Sequence, residues 1–276
     1  MTFNIKEALD HIHPNPKERL IQKKFRIYYW DKPQRLDENS KVYLYDLLKR
    51  LASKVFGDDM SPYWKKKEED GFLDHVKRIC LVVDPQGEII GWTGYFREVI
   101  EGQQCLYWDA TGILPEFQKQ GVMNQVISYH VIHEWVSLGL RPFYIIGRSE
   151  SPIVYYGSYK WMGGKNIYPS LKGEVPKLIQ DLAKGVALRL DQLEKLEPES
   201  LRIVNAFNGP CPWRFSADFE PLQCANLKSR DERINSFFSE HLKPEDTFLI
   251  VARVTLARVA DALWRQFKWK LQWRNV

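Results

Sequence analysis

Three runs of β-forming residues between Arg78 and Leu114, separated by two very short turns, constrain this chain more than any other feature. Arg78 to Asp84 is the first run, Pro85-Gln86-Gly87 a turn, Glu88 to Val99 the second run, Glu101-Gly102-Gln103 a turn, and Cys105 to Leu114 the third. Connections this short join antiparallel neighbours, because a parallel pair needs a crossover of a dozen or more residues. A three-stranded antiparallel meander follows. Val122, Met123, Val126, Ile127, Tyr129, Val131, Ile132, Trp135 and Val136 then predict a helix apolar over much of its circumference, closed by Gly139 and packed on the sheet. Phe143 to Gly147 returns as a strand. The fold class is therefore α/β in the α+β sense, with a mixed, mainly antiparallel sheet.

The flanks read less regularly. Residues 1–24 predict a short helix followed by a segment wrapping the body, and Phe25 to Trp30 predicts a strand. Ser40 is the expected N-cap of an amphipathic helix carrying Val42, Leu44, Leu47, Leu48, Leu51 and Val55 and ending at Gly57. Lys65 to Asp70 reads as a solvated helix face. Ser151-Pro152 begins a tyrosine-rich helix, with Pro where a missing N–H is harmless. Val175 to Leu196 and Asp231 to His241 read as helices, Gly209-Pro210-Cys211-Pro212 as a loop, Asp246 to Val254 as a strand and Leu256 to Gln266 as a short helix. The terminal Phe267 to Arg274 alternates apolar and basic residues, as a half-buried edge strand does.

At 276 residues and 44% hydrophobic composition the chain can bury a sizeable core, and no linker is rich enough to separate independent domains. Forty Lys and Arg against 35 Asp and Glu leave only +5, evenly interleaved, so a nucleic-acid partner is not expected. The four cysteines, Cys80, Cys105, Cys211 and Cys224, form no C-x-x-C pair and are expected as reduced thiols. His130, His133 and Glu134, and His11 with His13, complete no metal-ligand set, so no metal is expected. The opening residues have no apolar h-region and no run of ~18 apolar residues occurs, which makes a cytoplasmic protein without an integral membrane segment the expectation. Oligomeric state is not legible.

The segment that carries chemistry is Ile113-Leu114-Pro115-Glu116-Phe117-Gln118-Lys119-Gln120-Gly121-Val122-Met123, between the third meander strand and the helix. A turn there aims the first N–H groups of the helix at one point, where they and the positive dipole end favour an anion. Gly121 removes a side chain where a ligand must approach. An ordinary strand-to-helix connection is the alternative reading.

The order of elements and this turn resemble the GNAT superfamily of acyl-CoA-dependent N-acyltransferases, whose signature is Val-x-Pro-x-x-Arg/Gln-x-x-Gly-x-Gly/Ala. Ile113, Pro115, Gln118 and Gly121 stand at its positions, while Met123 replaces the last small residue. The resemblance covers residues 41–164, after an N-terminal extension 1–40. Residues 165–276 are then a C-terminal elaboration completing the same domain, with 246–254 as the sheet's last strand and helices on both faces. It implies acetyl-CoA or a longer acyl-CoA as co-substrate, held by Ile113, Gln118, Lys119, Gln120, Gly121, Val122, Met123 and Ser151. It also implies a bulge in the third meander strand, which Gly112 fits, although Gly112 reads equally as a packing glycine. Arg148 to Gly163 resembles the family's Asn-x-x-Ala-x-x-x-Tyr helix, with Ser151 at the Asn place and Val154 at the Ala place. The Tyr place falls on Ser158 by strict count or on Tyr159 with one residue more.

Amine attack on a thioester needs a base for an amine of pKa ~10.4 and an acid for the departing thiolate. Asp109, four residues before Ile113 and placed by strict alternation on its face, is the candidate base, with an ion pair to Lys or Arg as the alternative and Glu98 as a substitute. Tyr155 and Tyr159, an i, i+4 pair, are the candidate acids, with core packing as the alternative. The acceptor implied is an amine of a small molecule or a peptide side chain. The aromatic C-terminal third suits a fatty-acyl donor or a peptide acceptor. A non-catalytic acyl-CoA-binding or peptide-recognition module stays open, because Met123 and the tyrosine helix depart from the family pattern.

Overall fold

The computed structural model describes residues 3–21, 24–118, 120–206, 228–243, 245–261 and 263–264. These fall into two compact units, one holding the described residues up to Arg97 with Tyr107–Ser128, the other Glu98–Leu106, Tyr129–Ala206 and the described residues beyond 227. In chain order the elements are α1 (Ile5–His11), β1 (Lys17–Ile21), β2 (Phe25–Trp30), α2 (Glu38–Phe56), α3 (Ser61–Glu69), α4 (Phe72–His75), β3 (Arg78–Val83), β4 (Ile89–Ile100), β5 (Gln103–Ile113) and α5 (Val122–Ser137). They continue with β6 (Phe143–Ser149), α6 (Pro152–Met162), β7 (Ile167–Tyr168), α7 (Lys177–Arg189), β8 (Leu196–Glu197), β9 (Arg202–Ile203), α8 (Glu232–His241) and β10 (Thr247–Val254). The fold is mixed α/β, and every strand pairing with a defined register is antiparallel.

In the first unit the strands run in the order β1-β2-β3-β4-β5. The expected meander is present, and β2 lies beside it with Tyr29 opposite Cys80. The strand β1 has no counterpart among the sequence expectations, because Lys17-Glu18-Arg19-Leu20-Ile21 is exposed at four of five positions and carries no apolar alternation. Helix α2 buries Leu44, Leu47, Leu48 and Leu51 and ends at Gly57 with φ 72°. Its N-cap is Asp37, not Ser40: the Asp37 carboxylate accepts from the Ser40 N–H at 2.8 Å. The Ser40 hydroxyl instead ties down the N-terminal segment, accepting from the His13 N–H and donating to the His11 carbonyl.

The two faces of this sheet separate cleanly. Trp92 meets Trp64 and Phe56 edge-on, Trp64 meets Phe72, Phe72 meets Phe96, and Phe96 stacks on Tyr107. Thr93 and Tyr95 point the other way, as period-two alternation requires. There Tyr95 stacks on Trp108 at 4.7 Å, and the Arg78 guanidinium lies over Tyr29 and Tyr95 while pairing with Asp31.

In the second unit β10 pairs with β6 on one side and with β7 and β9 on the other, and β8 pairs with β9. The strand expected to be the sheet's last member is therefore internal, which its burial at seven of eight positions reflects. Helix α7 is shorter than the expected Val175 to Leu196. It starts after Pro176 and stops at Leu190, where Asp191 turns left-handed at φ 55°. Cys80 and Cys105 are buried free thiols. The loop at Gly209 to Pro212, Cys211, Cys224 and the edge strand 267–274 lie outside the described residues.

Candidate functional site

Strand β5 ends where the Leu114 N–H donates to the Ile90 carbonyl at 2.8 Å. A single 3-10 turn, Pro115–Phe117, follows, with the Phe117 N–H on the Leu114 carbonyl. The loop is braced by its own glutamines. Gln118 Nε2 donates to the Ile113 carbonyl at 3.2 Å, and Gln120 Nε2 to the Glu116 carbonyl at 3.0 Å. Both side chains satisfy loop carbonyls, so that among the described residues of the turn the backbone N–H groups are the donors left to a ligand. Gly121 then takes φ 75°, a left-handed conformation that an L side chain adopts only under strain.

Helix α5 runs for 16 residues from Val122, and its hydrogen-bond ladder opens with the Gln125 N–H on the Gly121 carbonyl. The N–H groups of Val122, Met123 and Asn124 precede that bond and have no partner within the helix. Val122 is buried and Met123 half-buried. Lys119 lies outside the described residues. The arrangement offers an anion a set of converging backbone donors at the positive end of a four-turn helix.

Strand β5 is interrupted. Ala110 has φ 49°, and on either side of it Trp108 and Thr111 reach the same residue. Trp108 Nε1 donates to Thr93 Oγ1 at 3.0 Å, and the Thr93 and Thr111 hydroxyls share a hydrogen bond of 2.7 Å. Residues three apart on an unbroken strand point to opposite faces, so one extra residue is accommodated at Ala110 as in a β-bulge. The expected bulge is thus two residues earlier than Gly112. Gly112 is a packing glycine instead: a Cβ there would lie 2.6 Å from Cζ3 of Trp92.

The interruption also overturns the expectation that Asp109 shares a face with Ile113. Asp109 turns to the Trp92 side, where its Oδ2 pairs with Lys67 of α3 and its Oδ1 accepts from the Ala110 N–H at 2.9 Å. Lys67 in turn lies 5.1 Å over Phe72 and 5.7 Å over Tyr63. The ion-pair alternative describes these contacts. Glu98, the substitute, is paired with Arg189.

The remaining candidates belong to the second unit. Ser151 occupies the N-cap position of α6 without a side-chain capping bond; its N–H donates to Ser149 Oγ at 3.1 Å and its carbonyl accepts from the Tyr155 N–H. Tyr155 is fully buried and donates its hydroxyl to the Pro169 carbonyl at 2.6 Å. Burial pushes its pKa well up. Tyr159 is half-buried on the same helix face, its ring 6.1 Å from that of Tyr155 and its phenol edge against Gly164. Among the described residues no group of three or more His, Cys, Asp or Glu is placed to hold a metal ion, and no helix is long and apolar enough to cross a membrane.

Two polar features at these positions escaped the sequence reading. Lys67 sits in a charge run that reads as solvated. The Thr93–Thr111–Trp108 network depends on the break at Ala110, which no glycine announces.

No protein-family model and no curated protein matches the chain. The solved structures it is similar to include GNAT-family N-acetyltransferases. One is a GNAT-family N-acetyltransferase from Escherichia coli in complex with CoA, 13% identical over 51% of this chain and 70% of the other, with a TM-score of 0.33. A spermidine N-acetyltransferase chimera from Vibrio cholerae is 19% identical over 54% of this chain and 83% of its own, with a TM-score of 0.35. A GNAT-family acetyltransferase from Brucella melitensis in complex with acetyl-CoA is 10% identical over 43% and 74%, with a TM-score of 0.31.

Proposed function

We propose that the chain is an acyl-CoA-dependent N-acyltransferase, moving an acetyl or longer fatty-acyl group from acyl-CoA to an amine of a small molecule or a peptide side chain. The observation that carries this reading is the turn from Pro115 to Gly121, whose Gln118 and Gln120 side chains brace loop carbonyls and leave the first N–H groups of a 16-residue helix to a ligand. In this role the backbone of Gln120 to Met123 receives the CoA pyrophosphate, and Met123 takes no part through its side chain. That is why a larger residue is tolerated at a position the family fills with a small one.

Transfer forms a C–N bond and breaks a C–S bond. The ammonium form of the acceptor gives up one proton before attack and a second when the tetrahedral intermediate collapses, and the departing sulfur takes one up. Tyr159 fits the donor to sulfur better than Tyr155, whose hydroxyl proton is engaged with Pro169. Asp109 fits a structural partner of Lys67 better than a free base. The engagement of both Asp109 and Tyr155 also favours a second reading, an acyl-CoA-binding module without turnover. Thiol release from acetyl-CoA and from a long-chain acyl-CoA, followed in the presence of spermidine and of a lysine peptide, separates the two. Amine-dependent release supports transfer, and tight acyl-CoA binding with no release for any amine supports the module.

A further inference from the structure

We infer that Lys24, immediately before β2, is the cation that recognises the ribose 3′-phosphate of the acyl-CoA. This rests on the acyltransferase reading above and adds a specificity-determining side chain to the backbone donors at the start of α5. The described residues of the ligand turn carry no basic side chain of their own, Lys119 lying outside them.

The geometry that brings Lys24 to the turn runs through one buried ring. Phe117 closes the 3-10 turn Pro115–Phe117 and meets Phe25 edge-on, with 85° between the ring planes and 6.3 Å between the centroids. Phe25 opens β2 and is only 2% exposed. The same ring carries the Lys24 ammonium, 5.0 Å from its centroid. The turn and Lys24, remote in sequence, therefore share a single contact, and all three residues belong to the first compact unit together with Gly121 and the first turn of α5.

Lys24 is also the cation of this region that remains available. Lys17 and Arg78 are held by Asp31, and Arg26 by Glu18. Lys24 is exposed and makes no ion pair among the described residues, and Glu116, the carboxylate of the turn, is exposed and makes none either. A ring holds an exposed ammonium more weakly than phosphate oxygens do. Phe25 thus keeps the charge beside the turn without neutralising it, and the flexible four-carbon stem lets it swing onto a ligand.

An acyl-CoA offers three phosphates, two joined as the pyrophosphate and one on the ribose. The converging N–H groups at the start of α5 suit the pyrophosphate, and a point charge on a flexible stem suits the separate phosphate monoester. Dephospho-CoA keeps the pyrophosphate and the pantetheine arm and lacks only that monoester, so the two ligands isolate the contact.

The test is isothermal titration calorimetry of wild type, Lys24→Gln and Lys24→Arg with CoA and with dephospho-CoA, at low and at high salt, with melting temperatures recorded alongside. Wild type should bind CoA about fivefold more tightly than dephospho-CoA, the size of effect an exposed ion pair supplies, and the preference should shrink as salt rises. Lys24→Gln should lose the preference by weakening CoA alone, with dephospho-CoA affinity within about twofold of wild type, whereas Lys24→Arg keeps the charge and the preference. Equal binding of the two ligands by wild type, a Gln variant that retains the preference, or one that weakens both ligands equally overturns the assignment and leaves the acyltransferase reading standing. Folded wild type that binds neither ligand overturns that reading and this inference together.

Discussion

Replacing Asp109 by Asn separates structural charge from catalytic charge in one residue. Asp109 and Lys67 are 7% and 11% exposed at their side chains, so the pair is screened by very little water. Asparagine keeps the shape and can still accept from the Ala110 N–H, but it leaves the Lys67 ammonium facing an amide among Tyr63 and Phe72. Removing one partner of a buried pair costs about 3–5 kcal/mol, and the residual exposure of Lys67 puts this case at about 3. At roughly 2–4 °C per kcal/mol for a chain of this size, the melting temperature should fall by about 6–12 °C. The double variant Lys67→Met with Asp109→Asn should recover most of that loss, since no orphaned charge remains. Differential scanning calorimetry on the two single variants and the double one closes the cycle. If Asp109→Asn melts within about 1 °C of wild type while its rate profile moves to higher pH, the carboxylate is the base and the structural reasoning fails.

Tyr155→Phe should cost about 1–2 kcal/mol, because it strips the Pro169 carbonyl of its donor in the core, and should leave turnover nearly intact; Tyr159→Phe should do the reverse, slowing transfer about 10-fold or more with little loss of stability. Urea denaturation beside thiol-release kinetics reads both, and turnover lost only in Tyr155→Phe would reassign the acid. Gly112→Ala puts a methyl group against the Trp92 indole and should destabilise by about 1–3 kcal/mol, seen as a lower urea midpoint; an unchanged midpoint would mean that Trp92 moves freely. Gly121→Val forces a β-branched residue to φ 75°, at about 1–2 kcal/mol of local strain, and should weaken acyl-CoA binding at least 10-fold while the melting temperature falls only a few degrees. Unaltered affinity would detach the turn from the ligand.

What was legible in the sequence is what short-range physics decides. Two three-residue turns forced the β3-β4-β5 meander, and the apolar periodicity of α2 and the Gly57 stop identified that helix nearly to its ends. What was not legible depended on partners remote in sequence. Strand β1 is an exposed, charged edge whose assignment needs β2 beside it. The break in β5 falls on Ala110, a residue with no left-handed preference, and it reverses the face of Asp109 that strict alternation had assigned. Ser40 looks like an N-cap because Asp37, three residues earlier, leaves the same signature. Tyr155 and Tyr159 are equivalent as a sequence pair, and only the Pro169 carbonyl beneath one of them tells them apart. The Gly121 turn was readable in position and residue type, whereas the use of Gln118 and Gln120 to brace the loop was not.

The central claim is that the start of α5 receives the pyrophosphate of an acyl-CoA, and native mass spectrometry of the purified protein with CoA, acetyl-CoA and a long-chain acyl-CoA tests it most directly. The account predicts a one-to-one complex with at least one of them that is lost in Gly121→Val, with the preferred species reporting the acyl length the protein accepts. Folded protein that retains none of the three would contradict it and make the turn at Gln118 to Met123 a structural connection.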